Sequence, residues 1–194
     1  MTEVTSLILP ILVATVACFF LSFLMWAILK HHEKDVQFYP EQDKLLEFVR
    51  NANIKPGSYM FPTCADRKDF KDPAMIEMFN KGPWGTLSVW GAKPNMGRNM
   101  SLTVLYFFLV SVLVAYISGL ARTPGSSFLE IFQVATTAAV LAHLLGGAPS
   151  GIWFGKTLRY FITDAIDGLV YSLATGAIFA LMWPAAEALP TTTP

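Results

Sequence analysis

The stretch at 160–184, YFITDAIDGLVYSLATGAIFALMWP, limits what this chain can fold into more than any other. It is apolar and long enough to cross a bilayer, since about 20 helical residues span about 30 Å of hydrocarbon. It is also marked along one side. Tyr160, Asp164, Asp167, Tyr171 and Thr175 recur at helical spacing and draw a polar stripe. Gly168, Ser172, Gly176 and Ala180 stand four apart on an overlapping face. Lipid has no use for either stripe: a carboxyl in hydrocarbon is costly, and small residues belong where helix backbones approach closely. The stretch predicts a membrane-crossing helix whose marked side meets other helices of this chain or a partner.

Three further apolar runs fit the same reading. Residues 6–29, SLILPILVATVACFFLSFLMWAIL, form a first span, with Pro10 in its first turn and Trp26 near its far end, where an interfacial aromatic is expected. The run is too long for a cleaved signal sequence and lacks a basic residue before it, so it reads as a retained helix. Ala14, Cys18 and Ser22 form its small edge. Residues 100–121 form a second span with Ser111, Ala115 and Gly119 four apart, and residues 128–146 a third with Ala135, Ala138, Ala139, Ala142 and Gly146 on its small face. Thr136 and Thr137 can bond back to their own helix carbonyls. Residues 147–159 are expected to be a reentrant or interfacial link, and 185–194 a short disordered external tail. Charged residues make up only 14% of the 194 positions, against about 25% in an ordinary soluble domain.

The polar segment at 30–99 is the exception to this pattern. Pro40 followed by EQDKLLEFVRNA predicts a short helix with Leu45, Phe48 and Val49 on one face. Lys55-Pro56-Gly57 is a turn, and 58–61 a strand. Asp72 is an N-cap with Pro73 at the first helical position, opening a helix over 74–80 that Gly82-Pro83 ends. Residues 84–90 make a second strand. Two strands and two short helices hold too little core to stand alone. The insert is expected to lean on the membrane surface, with Trp84, Gly85 and Trp90 suited to that contact. The fold class is therefore an all-α membrane protein, a four-transmembrane-helix bundle with a small cytoplasmic α+β insert between helices 1 and 2.

Orientation follows from basic residues. Most of the 14 lysines and arginines lie in the insert, including Lys30, Lys34, Lys93 and Arg98 beside span ends. Lys156 and Arg159 lie in the link, and only Arg122 lies on the opposite side. The bias puts the insert and the link in the cytoplasm and both termini outside. The formal net charge is zero, which gives nucleic acid no basic surface to bind. Two isolated cysteines, Cys18 and Cys64, make no disulfide framework and no CxxC.

MGRNM opening an aromatic-rich helix, then PG, FQVATTAAVLAH, IWFGK and DAIDGLVYSLATGAIFALMWP, resembles an uncharacterised group of small bacterial four-helix inner-membrane proteins. The shared plan is one helix, a polar insert with a PGSYMFP-like turn and a GPWG-like step, and three further helices. The resemblance implies a bacterial inner (cytoplasmic) membrane location and this topology. It implies no chemistry.

Candidate chemistry rests on the residues. Asp164 and Asp167 are three apart and share a helical face. With His143 and Tyr171 they form a candidate intramembrane site that would bind a cation or relay protons. The competing reading is that both aspartates sit near a helix N-terminus, favoured by its dipole and paired by the interfacial Lys156 and Arg159. A metal or haem site on His31, His32 and His143 is weighed and set aside, because adjacent helical residues point about 100° apart and no HxxxH, ExxH or CxxCH occurs. No metal or other cofactor is expected. No phosphate loop and no nucleophile elbow is present. Small edges on every span, without a catalytic constellation, point to a non-enzymatic protein packing with partners, as a homo-oligomer or an accessory subunit of a membrane complex. The alternative is a small-solute, ion or proton transporter or channel using the Asp164/Asp167 stripe. A lipid-acting membrane enzyme, with His143 or Asp167 as its base, ranks third.

Overall fold

The computed structural model of this chain describes residues 1–186. Among the described residues, four helical runs are long and apolar enough to cross a membrane: Val4–Ile28, Met96–Ala121, Phe128–Trp153 and Leu158–Leu181. The chain divides into two compact units. One contains Met1–Val36, Asn95–Pro149 and the chain from Thr157 onward, and the other Gln37–Pro94 with Ser150–Lys156.

In the first unit, the first span is built from a 3-10 turn, α1 (Ile8–Phe23) and a closing π turn at Leu24–Ile28. Its counterpart after the insert, α4 (Met96–Ala121), starts earlier than hydropathy alone predicts. Asn95 is its N-cap and accepts from the Arg98 backbone N–H, so MGRNM is already helical. The third run begins with α5 (Phe128–Val140), where Ser127 and Glu130 form a capping box. It continues through a π turn at Leu141–Leu145 and, after a turn at 146–147, through α6 (Ala148–Trp153). Residues 148–153 of the link expected at 147–159 are thus helical. Pro149 does not stop the helix because it falls in the first turn of α6, where a missing N–H costs little. The fourth span is α7 (Leu158–Leu181), capped by Thr157, which accepts from the Tyr160 N–H.

The small-residue faces are turned into the bundle. Ala14, Ala115, Ala135 and Ala139 are buried against Leu7, Val114 and Phe179 in one apolar core. Gly168, Ser172, Gly176 and Ala180 are all buried on α7. At Gly168 the helices touch backbone to backbone: a Cβ there would lie 2.6 Å from the carbonyl oxygen of His143. Only glycine permits that approach. The outward side carries Leu9, Leu12, Val16 and Phe20 on the first span and Leu105, Leu109 and Leu113 on α4, all exposed. Apolar side chains outward and small or hydroxyl side chains inward is the arrangement a lipid-facing bundle needs.

The second unit is most of the insert, Gln37–Pro94, together with Ser150–Lys156. It contains α2 (Gln42–Asn51), β1 (Gly57–Phe61), α3 (Pro73–Lys81) and β2 (Gly85–Val89). The strands pair antiparallel, with Gly57 opposite Val89 and Phe61 opposite Gly85. Asp72 caps α3 by accepting from the Ala74 N–H, with Pro73 at the first helical position. Gly82, at φ 63°, ends it. A 3-10 turn at Arg67–Lys71, capped by Asp66, is an addition that the sequence pattern does not announce. Neither α2 nor α3 buries a single residue, which fits a segment with little core of its own.

Candidate functional site

The first span ends at Ile28, and the chain then turns instead of continuing as a helix. That turn carries His31, His32 and Asp35. Its position beside the fourth span brings residues more than a hundred apart in sequence into one centre. His31 Nε2 lies 2.9 Å from Asp167 Oδ1, and His32 Nε2 lies 3.0 Å from Asp167 Oδ2. On the other side of each ring, His31 Nδ1 lies 2.6 Å from the Leu29 carbonyl and His32 Nδ1 lies 2.7 Å from Asp35 Oδ2. The expectation that the adjacent histidines diverge by about 100° fails for a simple reason: it assumed a helix, and these residues are in a turn.

Asp35 and Asp167 are both buried, with side chains 2% and 4% exposed. Asp35 accepts a hydrogen bond from Thr163 Oγ1 at 2.7 Å. Arg159 Nε stands 3.2 Å from Asp35 Oδ1 as an ion pair, at an angle that makes no hydrogen bond. Arg159 also donates to the His31 carbonyl at 2.7 Å. Asp167 accepts a further hydrogen bond from the Tyr171 hydroxyl at 3.2 Å. Trp26 stacks on His32 with ring centroids 3.9 Å apart, closing one side with an aromatic face. The hydrogen bond to Asp167 is the main reason the His31 imidazole sits above the usual histidine range, with burial opposing it and the Leu29 carbonyl adding to it. Burial alone would raise the Asp35 carboxyl. The hydrogen bonds from Thr163 and His32 and the charges of His32 and Arg159 outweigh it and hold the group below the usual carboxylate range.

The residues singled out in sequence separate into two groups. Asp167 and Tyr171 belong to the centre. Asp164 does not share their burial: it is half-buried, with a carboxylate oxygen 4.0 Å from where a Gly147 Cβ would stand. The buried polar line on α7 runs through Thr163, Asp167, Tyr171 and Thr175 and leaves Tyr160 and Asp164 beside it. His143 lies in the π turn of the third run and packs its ring against Tyr106, Phe107 and Tyr171. Its Nδ1 is 3.2 Å from the Tyr106 hydroxyl. Arg159 forms an ion pair with Asp35. Lys156 belongs to the second unit, where it borders a cleft with Ser58, Tyr59 and Ser150.

Asp35 and Thr163 were missed from sequence. A partial signal existed, since His32 and Asp35 are three apart directly after a span end, and Asp167 is the deepest charge in the fourth span. Among the described residues, one ligand atom from each of His31, His32 and Asp167 lies within 4.8 Å of the others, a spacing at which the three could share a metal ion. Cys18 takes no part. Its thiol is 3.3 Å from Thr175 Oγ1.

Fold and site together define a class, a four-helix bundle able to span a membrane that holds a buried histidine–aspartate centre where its first span ends and its fourth begins. No family model, curated protein or solved structure matches the chain.

Proposed function

We propose that this chain is an integral membrane protein that holds a cation at Asp167. In this reading its four helices cross the membrane, the insert lies in the cytoplasm and both termini lie outside. One observation carries the reading. The Asp167 carboxylate is buried and is met by two imidazoles and a phenol, groups with no permanent charge. A buried carboxylate needs a compensating positive charge close by. At Asp35 Arg159 supplies it. At Asp167 it comes from an exchangeable cation.

Close packing favours a binding centre over a conduit. The helices meet at backbone distance at Gly168, and Phe179 is fully buried in the bundle core. Many residues of the small edges pack within the chain, among them Ala14, Ala115, Ala135, Ala139 and Gly168.

The test uses purified protein in nanodiscs. Its thermal midpoint is followed across monovalent and divalent chloride salts and across proton concentration. At least one cation raises the midpoint, reflecting a stabilisation of about 2.7 kcal/mol at one hundred times its dissociation constant, and Asp167→Asn loses the effect. A wild-type midpoint indifferent to every cation, protons included, would sink the reading.

A further inference from the structure

We infer that the cation is a divalent transition-metal ion of the zinc, cobalt or nickel type, bound by His31 Nε2, His32 Nε2 and the Asp167 carboxylate. This rests on the cation-binding reading and names the ion class. The argument begins on the far side of each ring. A carbonyl oxygen only accepts, so His31 Nδ1, 2.6 Å from the Leu29 carbonyl, carries the proton. Asp35 Oδ2, which also accepts from the Thr163 hydroxyl, faces His32 Nδ1 at 2.7 Å and sets it the same way. In the neutral form of each ring, both Nε2 lone pairs therefore point at the Asp167 carboxylate. Three electron-rich groups converge on one spot, an arrangement that repels itself unless something positive sits between them.

A metal ion meets that requirement. Histidine ligands to metals regularly donate their other ring nitrogen to a carboxylate or a backbone carbonyl, which fixes tautomer and ring direction. Here one ring has the carboxylate and the other the carbonyl. Asp35 is held in turn by Thr163 at 2.7 Å and by Arg159, so the outer layer is itself anchored. The spacing is close to right. Bonds of 2.0–2.1 Å in tetrahedral geometry put ligand atoms about 3.3 Å apart, and the two imidazole–carboxylate distances are 2.9 and 3.0 Å. The three ligand atoms lie within 4.8 Å of one another, so rotation of the side chains would bring them to that spacing around an ion. Two imidazoles select against magnesium and calcium, which prefer all-oxygen ligands. Three protein ligands leave a further coordination position for water or an exchanging group.

The experiment uses the full chain in nanodiscs, stripped with a chelator and dialysed against zinc or cobalt chloride. We expect one ion per chain by elemental analysis. Bound cobalt should give the visible absorption of a nitrogen–oxygen site, and Trp26 fluorescence should fall as it binds. Asp167→Asn and His32→Ala should abolish binding. Because His32→Ala removes a buried partner and can unfold the centre, Asp35→Asn is the second variant. It leaves the three ligands in place and should weaken affinity 10- to 100-fold. Zinc and cobalt failing to bind, with protons or a monovalent ion still stabilising through Asp167, would overturn the metal assignment and leave the cation reading standing. Binding that survives both Asp167→Asn and His32→Ala would place the ion elsewhere and overturn it as well. Failure of every cation would remove both.

Discussion

Thr163 shows how much at this centre depends on one hydroxyl. Threonine in a helix usually turns its proton back to its own backbone, and the Arg159 and Tyr160 carbonyls stand 3.2 and 3.0 Å away. The nearest acceptor is instead Asp35 Oδ2 at 2.7 Å. Charged acceptors make the stronger hydrogen bonds, so the proton belongs to Asp35. Thr163→Val keeps the shape and deletes that donor. We expect a loss of about 1.5–3 kcal/mol in thermal or denaturant unfolding of the solubilised protein, with Thr163→Ser close to wild type. A valine variant as stable as wild type would mean that Arg159 and His32 hold Asp35 without help. At this scale the sequence was legible in part. Asp167 stood out because an ionisable group deep in a span needs a reason to be there. Asp35 and Thr163 looked like ordinary polar residues, and their importance is a pairing across 128 positions that no local pattern records.

Among the elements, the two π turns matter most. Leu24–Ile28 ends the first span just before the histidines, and Leu141–Leu145 interrupts the third run at His143. Such wide turns occur mostly as short insertions in α-helices, frequently at functional sites. Here the first leads into the departure that lets His31 and His32 face Asp167 together. The second places the His143 carbonyl against Gly168. Hydropathy reads a π turn and an α turn alike, which is why the spans were legible and the break in their periodicity was not. The Asp72 cap marked its helix start in the sequence, whereas the span drawn from hydropathy at 100–121 left out the helical residues 96–99, which the Asn95 cap opens in the same way. Gly168→Ala tests the close approach. The added methyl must push the third run away from α7, at a cost of about 1–3 kcal/mol, read as a lower thermal midpoint. Gly147→Ala is the control, since its nearest neighbour would be an Asp164 oxygen at an ordinary 4.0 Å. Equal stability for the two variants would mean that α7 shifts freely along its neighbour.

For the whole molecule, the zero net charge hides an asymmetry that bears on the proposed orientation. Most lysines and arginines lie in the insert and beside the span ends that border it, and the basic-inside tendency is what the proposed cytoplasmic placement of the insert rests on. Connectivity then fixes more than the insert. His31 and His32 follow the first span directly and precede the insert, so under the proposed topology the centre lies on the insert's side of the membrane and would take its cation from that compartment. The two native cysteines test this without engineering. Cys18 is sealed in the bundle at 1% exposure and serves as an internal blank, while Cys64 is half-exposed in the insert. Burial, then the charges of Asp69 and Asp72, raise the Cys64 thiol above its ordinary range. Labelling is therefore slower than for a free cysteine and needs mildly alkaline buffer. A membrane-impermeant maleimide should modify Cys64 in inside-out vesicles, leave it untouched in sealed right-side-out vesicles, and spare Cys18 in both. The reverse result for Cys64 would turn the whole bundle over, because insert, histidine turn and first span end are one continuous stretch of chain, and the centre would then take its cation from outside the cell.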